Sequence, residues 1–249
     1  MPRCVDRRHS TSVPSLRGRL VARWTWQPDK WDRLLTVAEL AGSDGSVLDV
    51  GGRGHELASL LGAARVTSLN VEAPADVVVP AGRLPYPDDA YDVVTSSDVL
   101  EHIPVAQRAA HVAELVRVAG RRVVIGVPCG SPGKCAAERD LADWMRAEHS
   151  LTLPFLAEHL EHGLPRPADV VDWARAADPA RTVRVHFTGS YPEGDELLRT
   201  AVRARYGHDL RALTRFVVRW VLRRRFPLEQ QQRPSSDRAF IVVERAGAR

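Results

Sequence analysis

Val47-Leu48-Asp49-Val50-Gly51-Gly52-Arg53-Gly54 is the stretch that decides the reading of this chain. A short apolar run closes on an acid and a glycine turn, and a helical pattern opens at His55-Glu56 and continues through Leu61. Glycine permits the tight turn and lets ligand atoms approach the backbone. Strand, glycine turn and helix in that order form a cradle for a nucleotide-type cofactor; a glycine turn with no ligand is the competing reading. A ribose diol also needs an acceptor-rich partner, and a carboxylate at the end of the next strand supplies two oxygens. Glu72 stands there, after the apolar stretch 66–71, and Asn70, two residues earlier on the same strand face, is the alternative.

Working outward, strands are expected at 66–71, 76–79, 91–96 and 122–127, with a helix over 106–118. Before the glycine turn, a helix over 31–41 ends at Gly42, and residues 1–20 read as a mobile arm followed by Trp24 and Trp26. Strands and helices alternating at this spacing predict a parallel, doubly wound sheet. The second half differs. Residues 135–162 read as largely helical, broken at Pro154; a helix is expected over 169–177 and a sixth strand over 182–187. One or two long helices over 195–226, a polar loop over 230–237 and a final strand over 239–244 complete the pattern.

Hydrophobic residues make up 44% and charged residues 27%, as expected of a soluble globular domain. The net charge of +4 comes from 35 basic against 31 acidic residues, which argues against a dedicated nucleic-acid binder. Cys4, Cys129 and Cys135 cannot build a disulfide framework or complete a zinc ribbon. No stretch approaches the about 20 apolar residues of a membrane span, and no apolar core follows Arg7-Arg8 as it would in a signal peptide. A cytoplasmic protein is expected.

Further along, Leu84-Pro85-Tyr86-Pro87-Asp88-Asp89-Ala90-Tyr91-Asp92-Val93-Val94 resembles the "LPFPDxSFDVV" segment of class I S-adenosylmethionine-dependent methyltransferases. Ser96-Ser97-Asp98-Val99-Leu100-Glu101-His102-Ile103 resembles their "xxxVLEHI" signature. With the glycine turn these form three ordered motifs covering about residues 47–128. The resemblance implies a Rossmann-like α/β sheet of seven strands, the last antiparallel, with helical insertions forming a lid. It divides the chain into an N-terminal arm and helix (1–41) and a methyltransferase domain (42–249). Within that domain, 42–130 would be the cofactor half, and 131–168 and 188–237 the lid and acceptor-side insertions. It implies S-adenosyl-L-methionine as cofactor, with Asp49, Gly51, Gly52, Gly54, Asn70, Glu72, Leu84 and Asp98 around it. Two departures stand out. Arg53 and His55 occupy later glycine positions of the family's "DxGxGxG", a form similar to the "DVGGRG" variants found near glycan and natural-product genes. Pro80 replaces the usual acid after strand three, which leaves adenine to backbone groups near Ala81-Gly82-Arg83.

The resemblance points to methyl transfer onto a small acceptor, a hydroxyl of a sugar or other secondary metabolite. Such an acceptor loses a proton, so a nearby base is expected. The candidates are His159 and His162, three apart on one helix face, then His102, with Asp98, Glu101 and His149 behind them. Each has a plainer reading: His102 as packing, Asp98 as a helix cap, and the His159–His162 pair as a solvated face. Asp98, Glu101 and His102 also resemble the acid-acid-His cluster of quinone-pathway O-methyltransferases, which makes Mg²⁺ a candidate cofactor and a quinone-type enzyme a second reading. A cofactor-binding partner protein without catalysis is the third. Finally, Arg211, Arg215, Arg219 and Arg223 recur every fourth residue, a strip fit for a membrane surface or a phosphorylated acceptor, or simply a solvated face.

Overall fold

The computed structural model describes residues 27–42, 44–62, 65–207, 209–222 and 225–247. The expected arm over 1–20, with Trp24 and Trp26 after it, and Arg223 of the basic strip lie outside these residues.

Seven strands form one sheet: β1 (Val47–Val50), β2 (Val66–Asn70), β3 (Val77–Val78), β4 (Tyr91–Ser97), β5 (Ala119–Pro128), β6 (Arg181–Thr188) and β7 (Arg238–Arg245). Their spatial order is β3-β2-β1-β4-β5-β7-β6. β1 to β5 pair in parallel, and β7 runs antiparallel to both β5 and β6. The order reverses between β1 and β4. In open α/β sheets the crevice at such a switch point, beyond the carboxyl ends of the strands, is where ligands bind.

Both sheet faces are covered, and strand alternation sorts the side chains between them. Leu48, Val50, Val94, Val123 and Ile125 pack beneath α3 (Val105–Val118) and α6 (Pro167–Ala177). Val47, Val93, Val124 and Phe240 pack on the opposite face beneath α1 (Pro28–Ala41) and α2 (Glu56–Leu61), where Trp31, Leu34 and Leu57 are buried. Asp49 is in step with Val47, so its carboxyl points toward the α1 and α2 face. The helix before the glycine turn therefore shares the core of the sheet domain.

Four further helices leave the carboxyl edge of the sheet: α4 (Pro132–His149) and α5 (Pro154–His162) after β5, and α7 (Tyr191–Tyr206) and α8 (Leu210–Val221) after β6. Leu141, Met145, Leu156 and Val202 bury against one another to join α4, α5 and α7. The guanidinium groups of Arg199 and Arg203 lie 4.8 and 5.2 Å from the Trp144 ring centre, within the reach of cation–π attraction. These helices fall in the stretches where the insertions were expected, and the 195–226 stretch holds two helices. Asp209 separates them by accepting hydrogen bonds from the Arg211 and Ala212 amides at 2.8 and 3.1 Å. Among the described residues no helix is long and apolar enough to cross a membrane.

Candidate active site

The glycine turn closes directly on β1. Gly51 adopts φ +83°, and a β-carbon there would come within 2.2 Å of Val99 Cγ2. At Gly52 a β-carbon would meet Asp49 Oδ2 at 2.0 Å. Only glycine fits either place, because the turn is wedged between the post-β4 loop and its own acid. Asn70 holds the turn from the β2 side: its amide nitrogen donates to the Gly51 and Gly52 carbonyls at 3.0 and 3.2 Å, and its oxygen accepts from the Val71 amide at 2.7 Å. The Gly54 amide donates to the Pro74 carbonyl at 2.7 Å, which draws in the loop after β2.

Asp49 lies buried under this turn and accepts a hydrogen bond from the Thr95 hydroxyl at 2.8 Å. Burial raises its carboxyl from an ordinary 3.8 to about 6, with the Thr95 bond opposing that shift. A buried carboxyl with a raised pKa favours a neighbouring positive charge, since a cation would stabilise its ionised form. Glu72 stands at the rim instead, exposed, with Arg53 Nη2 2.7 Å from its carboxylate. Leu84 belongs to the core between sheet and α3; its amide donates to Glu114 at 2.8 Å.

β4 ends at Ser97, and Asp98 turns the chain at φ +56°, a conformation that costs a non-glycine residue of order 1 kcal/mol or more. Its amide donates to the Gly126 carbonyl at 3.0 Å, and its carboxylate pairs with Arg33 of α1 and Arg238 of β7. Arg238 also reaches Asp29 at 3.4 Å. Asp98 thus caps no helix: the 3₁₀ turn Leu100–His102 starts from Val99 without a side-chain cap. Asp98 serves instead to clamp α1 and β7 to the end of β4.

Two arginine clamps leave Glu101 and His102 facing α5. Glu101 is 1% exposed, and its Oε2 has no hydrogen-bond partner among the described residues. Burial lifts its carboxyl to about 7. His102 Nδ1 lies 2.5 Å from Glu158 Oε2, and His159 Nδ1 lies 3.1 Å from Glu138 Oε2. Burial lowers the His102 pKa while the Glu158 contact pulls against it. The two rings sit 5.1 Å apart. Arg108 fastens α5 in place: Nε donates to the Ile103 carbonyl at 2.9 Å and Nη2 to the His162 and Gly163 carbonyls at 3.1 and 2.6 Å. Behind His159, Glu138 is itself 3.4 Å from Lys134 Nζ, and Lys134 pairs with Asp237 at 2.8 Å. A cleft of about 260 Å³, lined by Cys135, Glu138, Arg139, Asp143, His159 and Leu160, opens beside the ring.

The grouping is Glu101, His102 and His159, whose ligand-type atoms all lie within 4.8 Å of one another. The expected trio of Asp98, Glu101 and His102 is corrected on this point, because both Asp98 oxygens answer to arginines. His159 and His162 also part company: the first is buried against Glu138, and the second contributes its backbone carbonyl to Arg108. His149 packs edge-on against Trp144, with ring centres 4.9 Å apart. Sequence reasoning missed Glu138 and Lys134, whose i, i+4 spacing on an acid- and base-rich helix was the available signal.

The family described as "methyltransferase domain" matches residues 23–178, more than half of the chain. This chain belongs to the class I S-adenosylmethionine-dependent methyltransferases. Solved structures agree in fold. A SAM-dependent methyltransferase of Thermotoga maritima superposes with a TM-score of 0.52 at 11% identity, covering 92% of this chain and 94% of that one. A SAM-dependent methyltransferase of Archaeoglobus fulgidus gives 0.51 at 14% identity, covering 92% and 100%. Among curated proteins none matches the sequence. For this methyltransferase the donor fits what the glycine turn offers: a cradle closed to any β-carbon over a buried acid suited to a cationic ligand.

On α8, Leu210, Leu213, Val217, Val218 and Val221 are exposed, as is Leu222 just after it. Arg211 and Arg215 are exposed beside them. Arg225, beyond the strip, pairs with Asp32 at 3.2 Å and with Glu39.

Proposed function

We propose that this methyltransferase methylates a hydroxyl of a small acceptor, a sugar or other secondary metabolite, at the carboxyl edge between β1 and β4. S-adenosylmethionine brings a methyl group already activated on a sulfonium, so the protein's work is placement and proton handling. Gly51 and Gly52 let the donor approach the backbone, Asn70 keeps the turn in shape, and the Asp49 carboxyl offers negative charge to the cationic part. Glu72 is free at the rim to exchange Arg53 for a ribose diol. The loop near Ala81-Gly82-Arg83 is left to the adenine.

The observation that carries the reading is the cluster of Glu101, His102 and His159 immediately after β4, next to Val99, whose methyl already touches the glycine turn. A hydroxyl acceptor needs a proton acceptor beside it, and His159, oriented by Glu138, is the best-held ring in the site. The cleft beside His159 gives the acceptor access from the lid side. Incubation with methyl-labelled S-adenosylmethionine and a panel of hydroxyl and amine acceptors tests this. Label should enter a hydroxyl acceptor, and His159→Ala should lower kcat about 10²–10⁴-fold with little change in donor affinity. Donor binding without turnover on any acceptor would favour a non-catalytic partner protein.

The exposed face of α8 supports a second element of the proposal: the acceptor is met at an anionic membrane surface. Apolar side chains beside Arg211 and Arg215 match a helix lying in a lipid interface. We place the reaction in the cytoplasm, where free thiols such as Cys129 and Cys135 stay reduced.

A further inference from the structure

We infer that Glu101, His102 and His159 form a binding site for one divalent transition-metal ion, placed to hold the acceptor oxygen. The site arises from two segments far apart in sequence. The turn after β4 supplies Glu101 and His102, and α5 supplies His159, with Arg108 tying α5 to that turn. The three ligand-type atoms already converge within 4.8 Å. Around an ion with bonds of 2.0–2.2 Å, neighbouring ligands stand about 3.0–3.5 Å apart, so small side-chain rotations complete the approach.

Three independent features distinguish this group from an ordinary polar cluster. Glu101 is almost wholly buried with Oε2 unpartnered among the described residues, and a buried acceptor left unmatched is destabilising unless something fills it. Both rings also have a carboxylate at Nδ1, Glu158 on His102 and Glu138 on His159. A carboxylate behind one ring nitrogen fixes the tautomer and raises the basicity of the other, the outer-shell arrangement found behind metal-ligating histidines. Finally, Glu138 is held by Lys134, and Lys134 by Asp237, so the support for His159 is anchored in β7's approach.

The donor set decides the ion. Two imidazoles and one carboxylate suit Zn²⁺, Co²⁺ or Fe²⁺, while Mg²⁺ prefers an all-oxygen shell and keeps its waters. Three protein ligands leave positions open, and an acceptor hydroxyl reaching the cluster would occupy one. The role toward the acceptor rests on the proposed methyl transfer; ion binding itself does not.

Chelator-treated protein, without methyl donor or acceptor, is titrated with Zn²⁺ by calorimetry and with Co²⁺ by visible absorption. One equivalent should bind, with a Co²⁺ spectrum of mixed nitrogen and oxygen ligation. Glu101→Gln and His159→Ala should each weaken binding by at least about tenfold, Glu138→Gln by about 10–100-fold, and His162→Ala not at all. His102→Ala, at a partly exposed ring, guards against a folding defect in the buried variants. The inference is overturned if the wild type takes up no stoichiometric ion, if Glu101→Gln and His159→Ala bind as the wild type does, or if Mg²⁺ binds as tightly as Zn²⁺. Failure of ion uptake leaves methyl transfer standing, with the histidines acting as bare bases. Absence of turnover leaves the ion site standing.

Discussion

Asp49 is the residue at which burial and function oppose each other most directly. Its carboxyl sits at about 6 in the fold against 3.8 in an open chain. Its contribution to stability is therefore fully present below pH 3.8 and is lost as pH rises through 6. The loss is on the order of 3 kcal/mol in the ligand-free protein. Asp49→Asn removes that dependence: between pH 4 and pH 8 the variant should lose less thermal stability than the wild type, while binding S-adenosylmethionine more weakly. Parallel melting-temperature profiles across that range would contradict the placement of the charge. The tight turn at Gly51 and Gly52 was legible because glycine has few other uses at that spacing, whereas Asn70, read as an alternative ribose partner, holds that turn through the Gly51 and Gly52 carbonyls. The partners of Asp98 were not. Arg33 and Arg238 come from opposite ends of the chain, and only the topology brings them to the end of β4. The grouping of Glu101 with His159 was hidden for the same reason, since helical periodicity ties His159 to His162 and says nothing about the turn that α5 faces.

Helix starts show what local pattern reading misses at the scale of elements. α1, α4, α5 and α6 begin at Pro28, Pro132, Pro154 and Pro167, where apolar periodicity alone set most of these starts later. Proline suits the first helical position because the amide it lacks has no partner there, so Pro154, read as an interruption, is the beginning of α5. α8 is the element whose fold and charge give the most exposed prediction. Its Leu210, Leu213, Val217, Val218 and Val221 side chains are exposed beside Arg211 and Arg215. The double substitution Arg211→Gln, Arg215→Gln should leave donor binding intact and weaken sedimentation with anionic phosphatidylserine vesicles, by about 1 kcal/mol per charge at low salt. Added salt should produce the same weakening in the wild type. Vesicle binding that is absent in the wild type, or indifferent to both changes, would sink the proposal; binding only to a soluble phosphorylated compound would redirect it.

At the scale of the whole molecule, the parallel, doubly wound sheet was legible because alternating strands and helices leave few other arrangements; the strand order came from the structure. The antiparallel β7 followed from the family's resemblance, not from its own apolar pattern. What remained hidden was how these helices attach to the sheet, since α4, α5 and α7 bury only a small core among themselves and are tied down by Arg108 bonding the end of α5, Lys134 of α4 pairing with Asp237, and Arg199 of α7 pairing with Asp140. The central claim is that a methyl donor lies against the Gly51–Gly52 turn with its ribose at Glu72. Calorimetric titration of S-adenosylmethionine into the wild type and Glu72→Ala tests it most directly. Among the described residues Glu72 is exposed and pairs with Arg53 at 2.7 Å, so its removal should leave the fold unchanged. The account predicts one donor per chain in the wild type and a loss of about 1–3 kcal/mol in the variant. No binding to the wild type, or equal affinity in both proteins, would contradict it.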